Sequence, residues 1–275
     1  MTSPDLRSAS SRAPIGVFES GLGGLTVARA LLQQLPYESL LYVGDTARVP
    51  YGSKSPEAVR RYALQIAEWL VHEGVKAIVV ACNTATAHAL EYLQDASPVP
   101  VIGVVKPGAR AAVRAVPVGR VGVIGTAGTI ASGAYERAIH ALSSSVEVVS
   151  QACPLFVPLV EEGWVDHPAT HLIVNEYLAP MRAAQVRALV LGCTHYPLLA
   201  PLLATAMGTG VQLIDSAAET AAETARMLSA NGLESAARER PANRWVASDA
   251  PERFLTLGRR FLDGTIASVE HVPFG

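Results

Sequence analysis

Two stretches separated by 111 residues, KAIVVAC ending at Cys82 and RALVLGC ending at Cys193, constrain this chain more than any other feature. Each is an apolar run of strand length that gives way to a cysteine, then to small polar residues, then to a segment of helical period. A strand that is apolar at consecutive rather than alternate positions has no face to offer water. It must be covered on both sides, which is the situation of a parallel sheet flanked by helices. Two such units in one chain predict an α/β protein built from two related halves.

The rest of the sequence repeats this grammar. Pro14 to Phe18 reads as a strand, followed by the turn ESGLGG and a helix over Leu25 to Leu35 that Pro36 cannot continue. Leu40 to Val43 is a second strand. Ser55 and Pro56 supply an N-cap and a first-turn proline for a helix with Val59, Tyr62, Ala63, Ile66 and Leu70 on one face, and Gly74 ends it. Val75 to Ala81 is the buried strand before Cys82. In the second half, Arg120 to Ile124 is a strand ending in GTAGT, a helix runs from about Ile130 to Leu142, and Arg187 to Leu191 is the strand before Cys193. The expected organisation is a disordered tail over 1–13, a first α/β domain from 14–99 plus 212–275, and a second from 100–211. The chain would return to the first half near Val211 to Asp215.

Composition excludes several classes of function. The 22 basic residues against 24 acidic ones leave no excess of either sign, and no basic run is interleaved with aromatics, so nucleic acid is not an expected partner. MTSPDLRSASSRA at the start is polar, and no apolar run approaches the ~20 residues of a membrane helix. A soluble, cytoplasmic protein is expected. The three cysteines are odd in number, far apart and outside any CxxC spacing, which argues against a disulfide framework or a zinc knuckle. No histidine pair has the spacing of HExxH, so no metal is expected.

In open parallel sheets ligands bind beyond the carboxyl ends of the strands, and the polar motifs of this chain fall there. Cys82, in ACNTAT, sits where the positive end of a helix favours a thiolate and is expected to lower its pKa below ~8.5. Cys193, in GCTHYP, occupies the matching place. Two thiols facing one cleft suit a reaction in which a proton leaves one face of a carbon and another returns to the opposite face. Ser20, Asn83, Thr84, Thr126, Thr129 and Thr194 are small donors at the same turns, fit either to hold a carboxylate or simply to cap helices. GDTARVPYGSKS, residues 44–55, is a binding loop or a connector, with Tyr51 and Gly52 as its binding residues in the first case. His195, two residues beyond Cys193, fits tuning that thiol, protonating a leaving or developing charge, or a purely structural place. Glu161 and Glu162 fit either catalysis or a solvated helix edge, and Cys153 reads as structural. FESGLGG matches neither a Walker loop nor GxGxxG.

VFESGLGGLTV, YVGDTARVPYGSKS, VVACNTATA, VIGTAGTI, CPLFVPLVEEG and LVLGCTHYPLL, in this order, make the chain resemble the cofactor-independent glutamate racemases of the aspartate/glutamate racemase superfamily. The resemblance covers about Pro14 to Leu228. It implies two flavodoxin-like halves with the site between them, and interconversion of L- and D-glutamate without pyridoxal phosphate or metal, supplying D-glutamate for peptidoglycan. Cys82 would exchange the α-proton with the D-isomer and Cys193 with the L-isomer. His195 and Glu161, which directly follows VPLV, would assist Cys193. Ser20, Tyr51, Gly52, Asn83, Thr84, Thr126, Thr129 and Thr194 match substrate-holding positions, and self-association as a homodimer or a monomer–dimer equilibrium is common in the family.

The family writes an aspartate where this chain has Glu19, so the carboxylate expected to assist Cys82 lies one methylene further out, a displacement of roughly 1 to 1.5 Å. A misplacement of about 1 Å can cost ~100-fold in rate, and the expectation is a functional but attenuated enzyme. Two alternatives stand beside it: a related racemase acting on aspartate, and a carboxylate-binding module without turnover.

Overall fold

A computed structural model describes residues 10–262 and 265–274. Its first sheet contains β1 (Ile15–Glu19), β2 (Leu40–Gly44), β3 (Ala77–Val80) and β4 (Val101–Gly103), and its second contains β5 (Gly119–Gly125), β6 (Val146–Ala152), β7 (Ala188–Gly192) and β8 (Gln212–Ile214). The chain then returns to the first sheet with β9 (Arg244–Ala247) and β10 (Glu270–His271).

The first sheet runs β10-β9-β2-β1-β3-β4 and the second β6-β5-β7-β8, and every pairing is parallel. The core of the first, β2-β1-β3-β4, has the same order as the whole of the second. The two halves are thus one flavodoxin-like pattern used twice, with β1 equivalent to β5 and β3 to β7. Cys82 and Cys193 follow equivalent strands.

The fully apolar strands behave as their composition requires. β1, β2, β3 and β7 are buried along their whole length. Helix Leu25–Gln34 and helix Ala217–Ala230 contribute to the core on one face of the first sheet, whereas helices Pro56–His72 and Asn83–Ala96 cover the other. Ser55 caps helix Pro56–His72, accepting from Ala58 N at 3.2 Å, with Pro56 at its first position.

Some expectations need correction. β4 pairs with β3, Ile78 opposite Val101, and β8 pairs with β7, Ala188 opposite Gln212. Each half therefore keeps one strand beyond the seam expected from the sequence, because a parallel sheet gains an edge strand before the chain crosses over. The helix expected over Ile130 to Leu142 is two helices, Ala127–Ala131 and Ala134–Leu142, broken at Gly133, whose φ of +64° is a left-handed conformation that glycine adopts without strain. Of the tail expected over 1–13, residues 1–9 lie outside the described residues. Ser10 to Ala13 form a turn closed by Ala13 N to Ser10 O at 2.8 Å, and the Ser11 carbonyl accepts from the buried Lys76 ammonium at 2.7 Å. No helix among the described residues is long and apolar enough to cross a membrane.

Candidate active site

The carboxyl ends of β1, β3, β5 and β7 face one cleft between the halves. Glu19 ends β1, Cys82 follows β3, Thr126 follows β5 and Cys193 follows β7. The cleft is closed: Glu19, Ser20, Cys82, Asn83, Thr84, Tyr51, Thr126, Thr129, Cys193, Thr194 and His195 are all buried.

On the first side, Cys82 caps helix Asn83–Ala96, its Sγ accepting from Ala85 N at 3.4 Å. The Sγ lies 3.8 Å from Ser20 Oγ, which donates to Glu19 Oε1 at 2.8 Å. Glu19 Oε2 accepts from Gly21 N at 2.6 Å, and Thr194 of the other half donates to Oε1 at 3.4 Å. The longer carboxylate thus reaches Cys82 by way of the Ser20 hydroxyl and also touches the strand end that carries Cys193. The helix terminus does pull the Cys82 pKa down through the Ala85 N–H. Burial first, and the negative charge of Glu19 second, outweigh it and push the thiol up. The expected lowering is overturned because a dry, closed cleft penalises an anion more than one N–H favours it.

On the second side, Cys193 Sγ lies 3.9 Å from His195 Nδ1, and His195 Nε2 lies 3.2 Å from Glu161 Oε1, at the end of helix Phe156–Glu161. Burial alone would lower the histidine pKa, but its contacts with Cys193 and Glu161 raise it to about 10. Glu162 is exposed and pairs with Arg253 at 3.5 Å. The two glutamates that the sequence leaves equivalent are therefore separated by the helix end: one faces His195 and the other faces water.

The glycines of FESGLGG permit close approach. A Cβ at Gly23 would stand 2.3 Å from Thr194 Oγ1 and 2.5 Å from His195 Nδ1, and one at Gly24 2.6 Å from Glu19 Cγ. Any side chain there would hold the halves apart or displace the carboxylate.

The remaining predicted residues form two groups. Thr84 Oγ1 lies 2.9 Å from Thr126 Oγ1 and 3.1 Å from Thr129 Oγ1, and those two are 3.0 Å apart, so three hydroxyls meet across the halves. Thr126 also caps its helix, accepting from Thr129 N at 3.2 Å. Gly52 backs onto Thr126, where a Cβ would come within 2.5 Å of the threonine Cβ. The Tyr51 hydroxyl donates to Asp45 and the Tyr51 carbonyl accepts from Lys54 N at 3.0 Å, so neither group is open to a ligand.

Sequence reasoning missed Asp45, which also accepts from Arg48 Nε at 2.7 Å and from Ser248 Oγ at 2.8 Å and so anchors the Tyr51 loop to the C-terminal return. It also missed Tyr135, whose hydroxyl donates to Asn83 Oδ1 at 2.7 Å. Asp45 lies in GDTAR directly after β2 and could have been found from its place at a strand end. Tyr135 carries no local signal. Cavities of about 150 and 170 Å³ lie on either side of Glu161, both lined by Leu22 and Leu257. Among the described residues no three His, Cys, Asp or Glu side chains converge as a metal site.

Two matched α/β halves closing on a buried, hydroxyl-lined cleft with one thiol from each define a protein of the cofactor-independent isomerase class. The profile of the Asp/Glu/Hydantoin racemase family matches residues 15–224, and the chain belongs to that family. It is 52% identical over 258 residues to the glutamate racemase of Geobacter metallireducens, covering 94% of this chain and 96% of the relative. A crystal structure of a glutamate racemase from Bacillus anthracis superposes with a TM-score of 0.91 at 42% identity, over 95% of this chain and 98% of that one. The glutamate racemase of Francisella tularensis, solved in complex with D-glutamate, superposes with a TM-score of 0.90 at 38% identity, over 96% and 98% of the two chains.

Proposed function

We propose that this chain interconverts L- and D-glutamate by proton transfer between Cys82 and Cys193, in the cytoplasm and in supply of D-glutamate for peptidoglycan. The observation that carries the reading is the placement of the two thiols: at equivalent strand ends of two halves, buried in one cleft and close enough to act electrostatically on each other. Each has its own proton-handling partners, Ser20 and Glu19 on one side and His195 and Glu161 on the other.

The chemistry needs one thiolate and one thiol at the start of each turnover. In the closed cleft Cys82 keeps its proton, which suits it to donate. With L-glutamate bound, Cys193 takes the α-proton from one face. The carbanion's charge spreads onto the α-carboxylate, where hydrogen-bond donors such as the amide of Asn83 and the Thr84, Thr126 and Thr129 hydroxyls stabilise it. Cys82 then returns its proton to the opposite face, leaving D-glutamate, a Cys82 thiolate and a Cys193 thiol. The D-to-L direction runs from that second protonation state. His195, protonated between Cys193 and Glu161, holds positive charge beside the thiol that becomes anionic.

The test is α-proton exchange in D₂O, followed by NMR separately for L- and D-glutamate, with the chain and with Cys82→Ser and Cys193→Ser. Exchange from both isomers, with racemisation abolished by either substitution, is expected. Racemisation that survives one substitution overturns the two-thiol mechanism. Binding of glutamate with no exchange from either isomer favours a carboxylate-binding module, and faster turnover of L-aspartate than L-glutamate reassigns the substrate.

A further inference from the structure

Asn83 uses half of its amide. Its Oδ1 accepts from the Tyr135 hydroxyl at 2.7 Å, whereas its Nδ2 is buried and, with Arg48 Nη2, is without a partner among the described residues. A buried donor without an acceptor is destabilising, so a fold retains one where an acceptor arrives later. The two residues come from opposite halves: Asn83 directly follows Cys82, and Tyr135 lies on helix Ala134–Leu142 of the second half. The Tyr135 ring rests against Gly192, the last residue of β7 before Cys193, where a Cβ would stand 3.1 Å from Tyr135 Cε2.

We propose that Tyr135 is a positioning residue: by donating to Asn83 Oδ1 it fixes the amide with Nδ2 turned into the cleft as a donor to a substrate carboxylate, and by seating on Gly192 it ties that donor to the strand end that carries Cys193. An amide free to turn would present its carbonyl to the carboxylate for part of the time, and binding falls with the fraction correctly turned. The inference rests on the reading of the substrate as glutamate. It adds a residue that touches no substrate and acts through one that does.

The experiment is a double-mutant cycle of Tyr135→Phe with Asn83→Ala, read both as kcat/KM for each isomer and as the dissociation constant of glutamate from titration calorimetry. Phenylalanine keeps the ring on Gly192 and removes the hydroxyl. Tyr135→Phe is expected to weaken both quantities roughly tenfold, with a thermal midpoint within about 4 °C of the parent. In the Asn83→Ala background the same change is expected to cost less than about twofold, since the residue it acts through is gone. Independent losses that multiply in full overturn the proposal.

Asn83→Asp gives a second route that leaves Tyr135 in place. With one carboxylate oxygen held by the phenol and the other turned to the cleft, it is expected to bind glutamate about tenfold more weakly than Asn83→Ala, and equal affinities overturn the proposal. A parent chain that binds glutamate without racemising it overturns the racemase reading alone, because the binding cycle still decides Tyr135. A chain that binds no glutamate overturns both.

Discussion

His195 gives the most quantitative prediction. In the unfolded chain its imidazole titrates near 6.5, and in the cleft its contacts with Cys193 and Glu161 hold the proton to about 10. Between those values the native chain carries one proton more than the unfolded chain, so the unfolding free energy falls as pH rises, by about 1.4 kcal/mol per pH unit. The stabilisation is fully present below the unfolded value and is lost as pH climbs through the folded one. Over the whole window it amounts to something on the order of 5 kcal/mol.

The assay is urea denaturation of the chain and of His195→Gln at a series of values from about pH 6 to about pH 10.5, with the difference in unfolding free energy plotted against pH. Cys82 and the buried tyrosines titrate in both chains and cancel in that difference. A decline of several kcal/mol across the window is expected. A difference that stays flat within about 1 kcal/mol refutes the reasoning, because His195 then holds no extra proton in the folded cleft.

Glu19→Asp restores the residue that the family writes, and kcat/KM is expected to rise in both directions by up to ~100-fold if the extra methylene misplaces the carboxylate; an unchanged value shows that the Ser20 bridge already delivers it. Glu161→Gln is expected to lower kcat/KM by at least about tenfold and to move the alkaline limb of its pH profile downward, since it removes a partner that holds the His195 proton. Glu162→Gln, at the exposed pair with Arg253, is expected to leave both unchanged, and equal effects of the two substitutions refute the assignment. Lys76→Met leaves Glu38 buried without its cation, and is expected to cost about 3–5 kcal/mol in urea denaturation with kcat of the folded chain intact. A loss of kcat without a loss of stability refutes a purely structural role for that pair.

The parts of the fold legible in the sequence were those whose physics is local. β1, β3, β5 and β7 announce themselves because strands covered on both faces are apolar at consecutive positions. β4, β8 and β10 do not, being only 3, 3 and 2 residues long, and they exist because a neighbouring strand offers unpaired backbone groups rather than through any preference of their own. The same contrast runs through the site. Glu19 was reached through family resemblance, whereas the thiols and the capping hydroxyls were readable from their places at strand ends. Their partners were not: Tyr135 meets Asn83 across 52 positions, Thr194 meets Glu19 across 175, and Ser248 meets Asp45 across 203. No local pattern records such contacts, because folding and not sequence proximity brings them together. His195 with Glu161, 34 positions apart, was reached through family resemblance rather than through spacing.

The two halves share a strand order, yet their thiols are furnished differently, and the proposed two-thiol reaction gives a reason. L- and D-glutamate have equal free energies in an achiral solvent, but a protein built from L-residues presents them with unlike surfaces. Each thiol meets a different diastereomeric complex, and identical surroundings would not give the two matched tasks. Cys82 stands at a helix N-terminus with a carboxylate held one hydroxyl away, in an arrangement that keeps its proton. Cys193 is followed by a short 3₁₀ turn over Tyr196–Leu199 and has a protonated imidazole beside it instead. The cross-half contact of Thr194 with Glu19 joins the two arrangements, so a change in charge at one side is felt at the other. The same strand–turn–helix unit used twice puts two thiols in one cleft, and under the proposed mechanism the differing turns suit one to release a proton while the other accepts one. On this view the length of the residue at position 19 matters to both half-reactions, and Glu19 cannot be assigned to Cys82 alone.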